Sequence, residues 1–266
     1  MSEISKLAFV DPDAKIGSDV TIDAFAFIDK NVEIGDGCHI HPHASILSGA
    51  RIGKNNEIFE NAIIAATPQD FRWKGEDSYV IIGNNNKIRE QVIINRGIRL
   101  NAATKIGDNS FVMAQSHIGH DSEIGNYCVI GNACKIAGDV KIGNYTILSS
   151  NAMVHEKFHI GEWVLIKGGC RVNGNVPPYA VMAHNPISYF GVNSFVLKKV
   201  NKPDSVIDDI AKCYRHIYQT GTSVFNALRR IKDDVEPSLE RDAIIAFIDS
   251  HNNKLAALPL NDISDF

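Results

Sequence analysis

The chain has 266 residues, enough for one large domain or two modest ones. Its formal net charge of −4 argues against a nucleic-acid-binding protein, which would carry a basic surface. The N-terminus lacks the charged-then-apolar layout of a signal peptide, and no apolar run approaches the length of a membrane span. We therefore expect a cytoplasmic protein without membrane insertion. The five cysteines show no CxxC spacing, so the sequence predicts neither a zinc site nor a redox pair.

An aliphatic residue recurs at every sixth position along most of the chain. The series covers Val10–Ile64, Ile82–Leu100 and Ile106–Val172, and each of its positions holds Ile, Leu or Val. The residue four places later is usually small, and four of the five cysteines fall there. Neither a helix nor a single strand has this period, but three short strands per turn do. The pattern predicts a mainly β fold, a left-handed parallel β-helix of hexapeptide repeats whose aliphatic side chains fill a triangular prism.

Glycines mark one corner of this prism. Gly107, Gly125, Gly143 and Gly161 follow one another at intervals of eighteen residues, which is one per coil. Because glycine tolerates backbone angles that other residues resist, we expect these four to form the turn.

Two segments depart from the repeat. The stretch Ala66–Val80 has no hexad register, and such an excursion from a solenoid is usually a functional loop. Beyond the repeats, residues 203–221 have helical spacing, and 223–234 and 238–255 indicate two further amphipathic helices. We therefore predict a β-helix domain over residues 1–190, with an excursion loop at about 66–80, and a C-terminal α-helical domain over 191–266.

Polar side chains gather at one edge of the predicted prism. His117 ends a hexad and faces outward, and His120 and Asp121 follow the next corner. One coil higher Gly138 lies over His120, and His155 belongs to the same edge. An adjacent carboxylate suits a histidine that acts as a general base, because it fixes the imidazole tautomer. The alternatives are a solvated polar rim and a zinc site like that of the gamma-class carbonic anhydrases, whose ligand spacing this chain does not match.

At this level of detail the sequence resembles one family, the acyl-carrier-protein-dependent UDP-N-acetylglucosamine O-acyltransferases, which begin lipid A synthesis. The matching stretches are PQDFRWKGE (68–76), IREQVIINRG (88–97), HIGHD (117–121), VHEKFHIG (154–161), GGCRVNGNVPPY (168–179) and FGVN (190–193). The loop, the HxxHD run and the helical tail narrow the match beyond hexapeptide transferases in general.

The resemblance implies the activity and the residues that perform it. It implies transfer of a (3-hydroxy)acyl chain from acyl-carrier protein to the 3-position of UDP-N-acetylglucosamine by a homotrimer, without a cofactor or a metal ion. It makes His120 the general base, Asp121 its support and the Gly138 N–H the oxyanion donor. It assigns substrate contacts to Gln69, Asp70, Arg72, His117, His155, Glu156, Asn193 and Lys199, and an acyl-chain groove to Gly168. An acidic carrier protein would meet Lys167, Arg171, Lys198, Lys199 and Lys202.

Three departures from the family pattern leave the acceptor open. Asp139 and Glu156 stand where better-known members have His and Gln, and Lys199–Val200 replaces a pair of arginines. An acidic Asp139 would suit a cationic acceptor, so an N-acyltransferase acting on a 3-amino UDP-sugar is an alternative. A non-catalytic hexapeptide paralogue is another. The sequence does not set the acyl chain length.

Overall fold

The computed structural model describes residues 2–251 and 254–257. Three sheets, called A, B and C here, form the sides of a prism, and the chain visits them in turn. Sheet A contains β1 (Glu3–Ile4), β4 (Thr21–Ile22), β7 (His39–Ile40), β10 (Glu57–Ile58), β13 (Lys87–Ile88), β16 (Phe111–Val112), β19 (Val129–Ile130), β22 (Ile147–Leu148), β25 (Leu165–Ile166), β27 (Ala180–Ala183) and β28 (Ser188–Val192). Sheet B contains β2 (Phe9–Val10), β5 (Phe27–Ile28), β8 (Ser45–Ile46), β11 (Ile63–Ala66), β14 (Ile93–Asn95), β17 (His117–Ile118), β20 (Lys135–Ile136), β23 (Met153–Val154) and β26 (Arg171–Val172). Sheet C contains β3 (Lys15–Ile16), β6 (Glu33–Ile34), β9 (Ala50–Ile52), β12 (Tyr79–Ile82), β15 (Ala103–Ile106), β18 (Glu123–Ile124), β21 (Lys141–Ile142) and β24 (His159–Ile160).

The core is the interior of this prism, as the hexad period predicts. Ile118 pairs with Ile136, which pairs with Val154, so each coil adds an aliphatic layer directly on the last. These side chains are buried. Cys38, Cys128, Cys134 and Cys170 are buried and free, which confirms their packing role. Burial raises the pKa of Cys128 to about 11, so its thiol stays protonated at neutral pH.

The corner positions require glycine for a different physical reason from the one expected. The left-handed φ values lie two residues later, at non-glycine residues such as Tyr127 (φ 56°) and Tyr145 (φ 58°). Gly125 lacks room for a side chain, because a Cβ there would lie 2.6 Å from Asn144 Oδ1 and 2.8 Å from Asn144 N. The glycine column therefore lets successive coils approach closely, and the prediction from backbone angles was wrong.

The prism has two insertions, where the sequence predicts one. The first lies between β11 and β12, as expected. The second covers residues 96–102, between β14 and β15, and contains Leu100. Leu100 is 66% exposed, so its assignment to the inward series was wrong.

The C-terminal part closes one end of the prism and then becomes helical. Strand β28 pairs antiparallel with β27, and α1 (Ser194–Lys199), α2 (Asp204–Tyr218), α3 (Val224–Asp234) and α4 (Leu239–Ser250) follow. The three helices expected from the sequence are present, whereas α1 is too short to show a period. Helix α4 ends at Ser250, before the expected 255, and Leu255 forms a β-bridge with Asn175; residues 252 and 253 lie outside the described residues. The domain boundary after residue 190 falls within β28 and stays a prediction.

Within the described ranges, no helix is both long and apolar enough to span a bilayer.

Candidate active site

One corner of the prism carries most of the residues singled out from the sequence. We call it the B–C corner, because it links each sheet B strand to the next sheet C strand. On five successive coils it consists of residues 67–78, 96–102, 119–122, 137–140 and 155–158. Both insertions therefore leave the prism at the corner that bears His120.

His120 lies between two carboxylates. Its Nδ1 donates to Asp121 Oδ2 at 2.8 Å, and its Nε2 lies 3.3 Å from Asp70 Oδ2. His120 is outside the core, as expected, but it is only 8% exposed, with Asp70 of the first insertion against its ring. The arrangement leaves Nε2 as the nitrogen that takes a proton, and both neighbours stabilise the imidazolium that results.

Gly138 makes room for that imidazole. A Cβ on Gly138 would lie 2.3 Å from His120 Nε2 and 2.4 Å from Cε1, so no other residue fits while the ring keeps this position. The Gly138 N–H has no acceptor among the described residues. It is therefore available as a donor beside His120 Nε2.

The second insertion holds Asp121 in place. The backbone N–H of Ile98 donates to Asp121 Oδ2 at 3.1 Å, the same oxygen that accepts from His120. The Ile98 side chain is buried and anchors this contact. Sequence reasoning missed Ile98, since the insertion was hidden in the hexad count.

Asp70 and Arg72 form an ion pair at the tip of the first insertion. Arg72 donates from Nε at 2.9 Å and from Nη2 at 2.7 Å to the two carboxylate oxygens. This pair holds the pKa of the Asp70 carboxyl well below its ordinary value. Gln69 is exposed next to them.

His117 and His155 lie on either side of His120 and Asp121, and one ring nitrogen of each already forms a hydrogen bond. His117 Nε2 lies 2.7 Å from Asn95 Oδ1, and His155 Nε2 accepts from Arg171 Nε at 2.7 Å. Burial, and then the positive charges of Lys135 and His120, lower the pKa of His117. Asn95 is a second residue that sequence reasoning missed.

Acidic groups surround the mouth of this site. Asp139 donates its backbone N–H to His120 O at 2.9 Å and its carboxylate lies 3.9 Å from Arg99 Nη2. Glu156 is exposed one coil higher and 3.4 Å from Lys157 Nζ. The charges of both Asp139 and Glu156 favour the protonated form of Arg72, whose pKa is raised mainly by its bond to Asp70.

Comparison with known proteins identifies the family to which the chain belongs. Residues 175–255 match the family model described as UDP N-acetylglucosamine O-acyltransferase, domain 2, residues 103–138 match the bacterial transferase hexapeptide repeat, and residues 4–104 match the GMPPB C-terminal domain. The chain is 37% identical over 235 residues to the acyl-(acyl-carrier-protein)–UDP-N-acetylglucosamine O-acyltransferase of Aliarcobacter butzleri, covering 88% of this chain and 90% of that protein. The chain belongs to this acyltransferase family.

Solved structures of UDP-N-acetylglucosamine acyltransferases share the whole fold. The enzyme of Bacteroides fragilis superposes with a TM-score of 0.91 at 41% identity, covering 96% of this chain and 99% of that chain. The enzyme of Francisella novicida gives 0.92 at 33% identity, covering 96% and 94%.

Three residues predicted from the acyltransferase resemblance lie away from the B–C corner. Asn193 is buried and donates from Nδ2 to Trp163 O at 2.8 Å, at the corner between sheets C and A. Lys199 ends α1, where its Nζ lies 4.4 Å from the Phe195 ring centroid. Gly168 is exposed at the corner between sheets A and B. One subunit does not bring these three to His120.

One group of metal-ligand side chains occurs among the described residues. Asp23, His39 and His41 place ligand atoms within 4.8 Å of one another on the sheet A side. His39 Nε2 already bonds to Asp23 Oδ2 at 2.7 Å, and the His39 and His41 rings stack with centroids 4.0 Å apart. These residues lie apart from His120 and Asp121.

Proposed function

We propose that the chain transfers an acyl group from acyl-carrier protein to the 3-hydroxyl of UDP-N-acetylglucosamine, the first step of lipid A biosynthesis. The observation that carries the assignment is the dyad of His120 and Asp121. Asp70 contacts the other ring nitrogen of His120, and Gly138 lies against the face of the ring. A hexapeptide protein that only binds or scaffolds needs none of these four groups together.

The geometry supports two proton transfers through one base, His120. His120 Nε2 takes the proton of the sugar hydroxyl as that oxygen attacks the thioester carbonyl carbon, and the Gly138 N–H donates to the developing oxyanion. The tetrahedral intermediate then expels the thiolate, and His120 donates the proton that it received from the sugar hydroxyl to this thiolate. The products are the acylated sugar nucleotide and the free thiol of the carrier protein. Asp121 and Asp70 stabilise the transient imidazolium from its two sides.

Replacing the base tests this assignment. His120→Ala removes one general-base contribution, so we expect turnover to fall by roughly 10²–10⁴-fold with the fold retained. The assay follows acylated product from an acyl-carrier-protein thioester and UDP-N-acetylglucosamine, with circular dichroism as the control for folding. A His120→Ala enzyme as active as the wild type would contradict the assignment of His120 as the general base.

A 3-amino UDP-sugar is the second candidate acceptor. Asp139 and Glu156 add negative charge at the mouth of the site, which favours a cationic amine over a hydroxyl. The same product assay with the 3-amino analogue compares kcat/KM for the two acceptors. A higher value for the amine would make the chain an N-acyltransferase.

A homotrimer is the working unit that we propose. The outward column of sheet A is apolar from Phe111 through Val129 and Ile147 to Leu165, and all four are half-buried in the single chain. Packing this face against a neighbouring prism would cover it. A neighbour would also supply Asn193, Lys199 and Gly168, which one subunit keeps away from His120.

The donor partner that we propose is the acidic acyl-carrier protein. Of the basic residues expected to meet it, Lys198 pairs with Asp204 and Lys202 with Glu240. Among the described residues, Lys167 and Lys199 pair with no carboxylate, and each lies over an aromatic ring, which leaves their charge available. The cytoplasmic location and the acyl-chain groove at Gly168 stay predictions.

A further inference from the structure

Asn95 joins the first insertion to His117. It is 1% exposed at the end of β14, and its Nδ2 donates to Thr67 O at 2.7 Å. Its Oδ1 lies 2.7 Å from His117 Nε2.

The two contacts fix the orientation of the amide and, with it, the tautomer of His117. A carbonyl oxygen only accepts hydrogen bonds, so the Asn95 atom that faces Thr67 O is the NH₂ group. The atom that faces His117 is then the amide oxygen, which needs a donor. His117 Nε2 therefore carries a hydrogen, and Nδ1 is the nitrogen left for another partner.

His117 Nδ1 is the free side of this ring. No described residue forms a hydrogen bond with it. Burial favours the neutral imidazole, so its pKa is held below the ordinary value, and the charges of Lys135 and His120 act the same way. In the neutral ring, Nδ1 presents a lone pair beside the His120 site.

We propose that Asn95 is a positioning residue that makes His117 a hydrogen-bond acceptor for a hydroxyl or amide N–H of the sugar nucleotide. The proposal rests on the proposed function for its ligand. Without Asn95, Nε2 and Nδ1 would compete for the proton, and His117 could meet the sugar as a donor.

Nitrogen-15 spectra of the histidine rings test the tautomer without any reaction. In the wild-type protein we expect His117, whose resonances are assigned with the His117→Gln variant, to show a protonated Nε2 and an unprotonated Nδ1 at neutral pH. Adding UDP-N-acetylglucosamine should move the Nδ1 resonance as its lone pair accepts a hydrogen bond. A protonated Nδ1, or an Nδ1 that does not respond to the sugar nucleotide, would overturn the proposal.

Asn95→Asp tests the consequence for binding. The carboxylate keeps the acceptor toward Nε2 but attracts a second proton to the ring, so the pKa of His117 should rise and Nδ1 should become a donor at neutral pH. We expect KM for UDP-N-acetylglucosamine to rise about tenfold below the new pKa and to recover above it, with KM for the thioester unchanged. An unchanged sugar KM despite a raised titration point would contradict the proposal.

Asn86→Asp is the matched control. Asn86 is also buried, donates from Nδ2 to Gly107 O at 2.9 Å and accepts from Ser110 N at 2.7 Å, but it faces no histidine. The Asn86→Asp variant should lose about as much stability as Asn95→Asp does, and its KM for UDP-N-acetylglucosamine should stay unchanged. An inactive wild type would refute the proposed function alone, since the ring spectra would still report the tautomer.

Discussion

The position of the His120 ring depends on the absence of a side chain at Gly138. The imidazole lies where a side chain on residue 138 would have to be, and its Nδ1 is held by Asp121. A methyl group at that position cannot be accommodated by a small shift, because the clash involves the ring itself.

Gly138→Ala should therefore inactivate the enzyme by displacing His120. We expect a loss of turnover comparable to that of His120→Ala, roughly 10²–10⁴-fold. In a His120→Ala background the same change should cost little more, because residues that act as a unit are not additive. Steady-state kinetics of the two single variants and the double variant measure this, and full additivity would show that Gly138 acts independently of the ring.

The sequence predicts the residues of the dyad but not its surroundings. Adjacent His and Asp at a corner indicate a base, and the coil spacing places Gly138 above it. The burial of His120 depends on a loop that folds back from two coils away in the hydrogen-bond order, which no local pattern encodes. The contacts from Ile98 and Asn95 involve a backbone N–H and an amide, which carry no recognisable motif.

Among the elements, the short insertion 96–102 has more influence on the dyad than its size indicates. It donates the Ile98 N–H to Asp121, and Arg96 donates to Ser48 O at 2.9 Å and lies over the Trp73 ring. Gly97 permits this path, since a Cβ there would lie 2.8 Å from both the carbonyl carbon and the Cβ of Ala102.

Gly97→Ala should move the Ile98 N–H and loosen Asp121, although residue 97 reaches no substrate. We expect kcat to fall about tenfold or more, as misplacement of a catalytic group does, while the prism stays folded. Leu100→Ala, at the exposed tip of the same insertion, serves as the comparison and should retain wild-type kcat. Equal kcat values for the two variants would show that the insertion does not position the dyad.

The hexad count conceals this insertion for a simple reason. Ile94 and Ile106 are twelve residues apart, so an added hexad keeps the aliphatic period in step and lets Leu100 pass for an inward residue. The structure pairs Ile82 with Ile106, twenty-four residues on, where a coil without an insertion, such as that from Ile118 to Ile136, needs eighteen. Periodicity therefore predicts the scaffold well. It reveals the first insertion, where Asp70 and Glu76 fall on the hexad positions, but gives no warning of the second, where an aliphatic residue, Leu100, falls on one.

On the scale of the whole molecule, the three faces of the prism differ in chemistry. Sheet C presents Lys105, Glu123, Lys141 and His159 outward, whereas the matching column of sheet A is apolar. The charged residues Lys105, Glu123 and Lys141 suit a face in contact with water, and we expect the apolar face of sheet A to pack against a second copy in the proposed homotrimer.

Light scattering should give a trimer for the wild type. Ile147→Glu would bury a charge in the proposed interface, so we expect it to dissociate the assembly and abolish turnover together. Lys141→Glu, on sheet C, should remain trimeric and active. A monomeric wild type with full activity would contradict the homotrimer.

Both insertions enter at the B–C corner and leave the coils above and below in register. Because a coil of a solenoid contacts only its neighbours, length added at this corner is not transmitted to the aliphatic core. The corner loops and the β-helix core can therefore evolve separately. Mutations can lengthen, shorten or change the loops around His120 while the core stays the same, so that specificity for a new acceptor or acyl donor can arise without a change of fold.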